Sequence, residues 1–131
     1  MVCGEGIVTI GKKREDYLKA ILLLRKRRGF VRSVDVARYL NVSKPSVTAM
    51  MTALSEAGYV EKSARAPREI ALTPEGERIA EQICEKNRFF RDLLTQAGVD
   101  GTTAEQEACE MEHALSNESF CLLREALDKA R

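Results

Sequence analysis

The feature that most constrains this 131-residue chain is the succession of segments between Ser33 and Leu72. Ser33 caps a short helix that starts at Val34 and runs through Val36, Ala37 and Leu40. Asn41-Val42 makes a tight turn, and Ser43 caps the next helix. Pro45 falls inside the first turn of that helix, where its missing N–H removes no intrahelical bond. The helix continues through Val47, Met50, Met51 and Leu54 and stops before Gly58; its other face carries Ser46, Thr48, Thr52 and Ser55. Tyr59 to Lys62 and Ile70 to Leu72 read as two short strands joined by a basic tip of Arg65, Pro67 and Arg68. Ahead of all this, Leu18, Ile21, Leu22 and Leu24 mark an amphipathic helix from Glu15 to about Arg28, ended by Gly29 beside Arg25, Lys26, Arg27 and Arg28. Positive charge is favourable there and leaves a cationic surface.

Helix, short helix, turn, helix and basic hairpin, in that order, form a winged helix-turn-helix. A helix about 10–12 Å across fits the major groove of duplex DNA. The small face around Ser43, Ser46 and Thr48, entered through Lys44 and Pro45, permits close approach to base edges or phosphates. Arg65 and Arg68 on the wing are candidates for phosphate or minor-groove contacts, with Arg32, Arg38 and Lys44 as further phosphate partners. The same fold also serves as a protein-interaction module, and serines in turns also act as caps.

Charge separates two halves. Residues 1–76 hold 14 Lys/Arg against 8 Asp/Glu, whereas residues 77–131 hold 7 against 12, although the whole chain sums to only +1. A polyanion-binding head (1–76) on a second, helical lobe (77–131) is the expected division, and the fold class is mainly α with a small β-hairpin. In the rear half Thr73 caps a long helix with Pro74 just inside it, marked by Ile79, Ile83, Phe90 and Leu93 or Leu94. Thr102 or Thr103 caps the next, which carries Ala108, Met111 and Leu115; Ser116 or Asn117 starts the last, with Phe120, Leu123 and Leu127. Residues 1–13 are expected to form a loose arm. No signal peptide or membrane-spanning run is visible, and the four cysteines include no CxxC pair, so a cytoplasmic protein with reduced thiols is expected.

Cys109, Glu112 and His113 stand at i, i+3 and i+4, on one helical face, and His113 is the only histidine. Thiolate, carboxylate and imidazole together suit a divalent transition ion: Mn²⁺, Fe²⁺, Co²⁺, Ni²⁺ or Zn²⁺. A buried inert cysteine beside a solvated Glu and His gives the same spacing. Cys84 and Cys121 are expected in the core.

The chain resembles the diphtheria toxin repressor family of metal-dependent regulators, which includes the manganese transport regulators. The likeness covers about residues 14–127 and rests on Asp16-Tyr17-Leu18, on Val42 to Val60, on Leu72-Thr73-Pro74-Glu75-Gly76, and above all on EACEMEHALS from Glu107 to Ser116. The resemblance implies a homodimer with winged heads, joined through its rear helices, binding a palindromic double-stranded operator. It implies one ion shared by Asp16, Cys109, Glu112 and His113, joining the first helix to the rear lobe. Asp16 is the manganese-regulator choice and Cys109 the iron-regulator choice, so Mn²⁺ and Fe²⁺ are both expected candidates. A second ion is disfavoured, because the family's further ligand positions fall on Lys19, Asn87, Arg91 and Glu105: an ammonium, an amide with at most a weak oxygen donor, a guanidinium and one carboxylate. The chain ends at Arg131, so the expected architecture is the short one, without an SH3-like third domain.

The function expected from all this is a metal-dependent transcriptional regulator, a repressor of metal-uptake genes. The alternatives are a metal-independent winged-helix regulator and one holding a purely structural ion. Catalysis is not expected: no HExxH and no phosphate-binding glycine loop is present.

Overall fold

The structure, a computed structural model, describes residues 10–130. Its elements are α1 (Lys12–Arg28), α2 (Ser33–Leu40), α3 (Lys44–Glu56), β1 (Val60–Lys62), β2 (Ile70–Leu72), α4 (Pro74–Gln96), α5 (Gly101–Met111) and α6 (Asn117–Ala130). The fold class is the expected one, helices with a single two-stranded sheet among the described residues. The expected N-terminal arm lies outside the described residues through residue 9, and Lys12 and Lys13 already belong to α1. The chain divides into two compact units, one of residues 13–81 and one built on residues 82–130.

In the first unit α1 buries Tyr17, Leu18, Ile21 and Leu22, while Val36 of α2 and Val47 and Leu54 of α3 are each fully shielded from solvent. Arg28 is the last residue of α1, and Gly29 follows it at φ +85°, a left-handed conformation that favours glycine. The cationic surface expected there is largely neutralised: Arg25 pairs with Glu77, Lys26 with Glu81 at 3.3 Å and Arg28 with Asp35 at 2.6 Å.

The start of α2 differs from expectation by one residue. Arg32, not Ser33, is the N-cap, and its backbone N–H donates to Asp35 Oδ2 at 2.9 Å. Asp35 is buried, and this bond together with Arg28 compensates its charge. Asn41 closes α2 in the left-handed conformation (φ 56°, ψ 52°), and Ser43 caps α3 as expected, accepting from the Ser46 N–H at 3.3 Å.

β1 and β2 pair antiparallel with Val60 opposite Leu72 and Lys62 opposite Ile70. The linker before α2 adds to this hairpin: Ile70 N–H donates to the Val31 carbonyl at 2.7 Å, and Arg32 bridges Glu69. Thr73 caps α4, its hydroxyl accepting from Gly76 N–H at 3.1 Å and donating to the Gly58 carbonyl at 2.6 Å.

The second unit is centred on Phe90, Ala108 and Phe120, with Phe89, Met111 and Leu115 packed around them. Phe89 meets Phe120 edge-on at 5.3 Å between centroids, a favoured arrangement of ring quadrupoles. The cap of α5 is Asp100 rather than Thr102 or Thr103; its carboxylate accepts from the Thr103 N–H at 3.2 Å. Hydrogen bonds from the Thr103 side chain and backbone hold the Asp100 carboxyl below its ordinary range. Ser116 caps α6, accepting from the Ser119 N–H at 3.1 Å. Neither Cys84 nor Cys109 takes part in a disulfide; Cys121 is buried as expected, whereas Cys84 is only half-buried. Cys3 lies outside the described residues.

Candidate metal centre and DNA-binding face

The N-terminal half of α3 exposes Lys44, Pro45, Ser46, Thr48 and Ala49, while Val47 turns inward. None of the exposed side chains except Lys44 is long, so this face approaches another surface closely. Part of its polarity is already engaged. Ser43 Oγ and Ser46 Oγ share a hydrogen bond of 2.8 Å, and Thr48 Oγ1 donates to the Lys44 carbonyl at 3.1 Å. One hydroxyl hydrogen of the Ser43–Ser46 pair and the Lys44 ammonium remain as donors for a polyanion, and the hydroxyl lone pairs can accept from base edges.

The other sequence-predicted contacts stand in the same unit, all exposed. Arg32 sits at the N-cap of α2, and both Arg28 and Arg32 lie over the Phe30 ring, 5.3 and 5.2 Å from its centroid. Arg38 occupies the last turn of α2. Arg68 projects from the wing loop, and beside it the exposed Arg65 pairs with the buried Glu69 at 3.4 Å. Between α3 and the wing runs a cleft of about 690 Å³, with Met51, Val60 and Ile70 among its apolar lining and Arg68, Lys62, Glu56 and Glu61 among its charges.

The second set of residues lies at the end of α5. Cys109 is in the last turn; Glu112 is the C-cap and keeps helical dihedrals (φ −62°, ψ −23°), its N–H donating to the Ala108 carbonyl at 2.9 Å. The helix therefore ends at Met111, but the helical path continues far enough to preserve the expected spacing. Glu112 is completely buried, and its Oε1 lies 3.4 Å from His113 Nε2. A thiol, a buried carboxylate and an imidazole within one turn are a donor set that fits a divalent transition ion. A carboxylate is also costly to bury unless positive charge accompanies it. Asp16 is half-buried on α1, in the other unit; its neighbour Tyr17 is core, and burial raises the Tyr17 hydroxyl above its ordinary pKa.

Two residues of α4 reach this segment: Asn87, one of the family's ligand positions, and Lys86, which the sequence did not single out. Asn87 directs its amide Nδ2 at Cys109 Sγ, 3.7 Å away, so it donates to sulfur instead of offering an oxygen. Lys86 is buried and its ammonium donates to the Leu115 carbonyl at 2.9 Å. Its place on the inward stripe Ile79, Ile83, Lys86, Phe90 is the signal that could have found it. Of the family's other ligand positions, Lys19 and Arg91 are half-buried cationic residues and Glu105 is exposed.

Known proteins place both sets in one context. Residues 9–66 match the family described as iron dependent repressor, N-terminal DNA binding domain, and residues 73–131 match iron dependent repressor, metal binding and dimerisation domain. The chain belongs to the iron-dependent repressor family. An HTH-type transcriptional regulator of Methanocaldococcus jannaschii is 33% identical over 88% of this chain and 92% of its own length. The HTH-type transcriptional regulator MntR of Lysinibacillus sphaericus is 33% identical over 78% of this chain and 72% of its own. Among solved structures, IdeR of T. acidophilum superposes with a TM-score of 0.72 at 31% identity, covering 87% of this chain and 53% of that one. The chain thus spans about half the length of that solved regulator, and 66% of the MntR of Salmonella typhimurium. Among the described residues no helix is long and apolar enough to cross a membrane.

Proposed function

We propose that this chain is a metal-responsive, sequence-specific DNA-binding regulator, a repressor of metal-uptake genes, in which one divalent ion joins the winged head to the rear lobe. The ligands are Asp16, Cys109, Glu112 and His113. The observation that carries this is the buried Glu112 beside His113, with Cys109 outside any disulfide, within the segment that matches a metal-binding and dimerisation domain. Residues 1–76 act as the head and 77–131 as the lobe that binds metal and dimerises. Exposed Leu122 and Leu123 on α6 give that lobe apolar surface for a second copy.

The ion supplies positive charge and a cross-link between positions 93 residues apart. Everything else is done by the chain. Without a cation the carboxylates of Asp16 and Glu112 repel each other when brought together. Asp16 rides on the same helix as Leu18, Ile21 and Leu22, which are buried in the head, so restraining Asp16 restrains the head as one body. Two heads so restrained in a dimer engage half-sites one or more helical turns apart, while α3 and the wing supply groove and phosphate contacts. Mn²⁺ and Fe²⁺ are the physiological candidates. An MntR is among the relatives above, and Cys109 brings a softer donor than an all-oxygen site would. The working place is the cytoplasm, where the operator is, and no substrate is turned over.

The test uses a palindromic duplex recovered by selection from random sequence. Its fluorescence anisotropy is titrated with protein under anaerobic, reducing conditions with Mn²⁺, Fe²⁺, Co²⁺, Ni²⁺, Zn²⁺ or chelator. The expected result is a gain in affinity of about 5–150-fold with the cognate ion. Equal affinity throughout would identify a metal-independent winged-helix regulator. Unfolding on metal removal would identify a structural ion.

A further inference from the structure

Two successive residues of α4 hold the ligand segment at separate points. Lys86 fixes the chain just beyond His113 through the Leu115 carbonyl at 2.9 Å, and Asn87 reaches the Cys109 sulfur ahead of Glu112 at 3.7 Å. Both contacts lie within the rear unit. The Asn87 contact has chemical content. A sulfur that carries negative charge accepts an N–H bond more strongly than a neutral thiol does. The same bond draws electron density from the sulfur that would otherwise go to an ion. An amide nitrogen has no lone pair available for a metal, so at this position the nitrogen can serve sulfur but cannot itself ligate.

We propose that Asn87 is a positioning residue for the metal site: its amide N–H holds the Cys109 sulfur in the orientation from which it ligates, and tunes how strongly that sulfur donates. This role presupposes that Cys109 is a ligand, as proposed above. Outer partners of metal ligands alter affinity by about 10–100-fold when removed. A single hydrogen bond to sulfur belongs at the lower end of that range.

The full-length protein is loaded with Co²⁺ anaerobically, and two quantities are read: the near-ultraviolet sulfur-to-cobalt charge-transfer band, and the Co²⁺ affinity in competition with a chelator. Wild type is compared with Asn87→Ala and Asn87→Leu, neither of which can donate or ligate. Alanine is the best helix former and leucine matches asparagine in size, so one or the other retains α4, as far-ultraviolet circular dichroism verifies. The expected result is a charge-transfer band moved to longer wavelength, because the sulfur has become more electron-rich, with Co²⁺ affinity about 10-fold weaker, because the loss of a fixed sulfur orientation outweighs the gain in donor strength. A band and an affinity unchanged in both variants overturn the role of Asn87 and leave Cys109 as a ligand. Absence of the band in wild type shows that Cys109 does not bind the ion, and overturns the ligand set and the role of Asn87 together.

Discussion

At Gly76 one missing methyl group lets the base of the wing close. A Cβ built on this residue would lie 2.0 Å from the Tyr59 carbonyl oxygen, a backbone atom that no side-chain rotation can move. The same turn is held by Thr73, which receives the Gly76 N–H and whose own N–H donates to the Tyr59 carbonyl at 3.1 Å. Gly76→Ala should therefore destabilise the head by about 1–3 kcal/mol, visible as a lower midpoint in urea unfolding; an unchanged midpoint would mean the backbones do not approach there. The Thr73 cap is legible in the sequence, but nothing local marks Gly76 as required. The necessity comes from Tyr59, seventeen residues earlier, which no local pattern reveals.

The elements divide in the same way between what local chemistry dictates and what packing decides. The Ser43 cap with Pro45 behind it, the basic hairpin and the Thr73 cap were legible because each is a local preference of backbone and side chain. The pairing of Val31 with β2 was not, since it joins segments far apart in sequence. At α5, Thr102 and Thr103 carry cap signatures as good as that of Asp100; the charged acceptor with Thr103 in reach prevails. Because the Asp100 carboxyl is depressed in the folded protein, its contribution is complete above the unfolded pKa and is lost as pH falls through the folded one. Asp100→Ala should lower the melting temperature at neutral pH, and the difference from wild type should vanish in acid below the ordinary aspartate range; a difference that persists there would exclude the capping carboxylate as its source. For the wing, Arg65→Ala and Arg68→Ala should each weaken selected and random duplexes alike and reduce the slope of log K against log salt by about 1. Unchanged slopes in both would remove the wing from the phosphate contacts.

At the scale of the whole molecule, the near-zero net charge conceals a head of net +6 and a lobe of net −5, and these halves have different work. The contact between Glu112 and His113 was legible from spacing because the helical path continues past the end of α5. Asp16 could be named only through family resemblance, since nothing in its own helix distinguishes it from a solvated acid. The Asn87 contact escaped notice because an amide aimed at sulfur has no sequence signature. Asp16→Ala is accordingly the variant in which the account stands most exposed. The decisive measurement is the ratio of operator affinities with the cognate ion and with chelator, in wild type and in Asp16→Ala. Wild type should show the gain of about 5–150-fold, and the variant a ratio near one while its chelated, nonspecific affinity and helical content stay unchanged. A variant that keeps the whole metal-dependent gain would contradict the bridge between head and lobe.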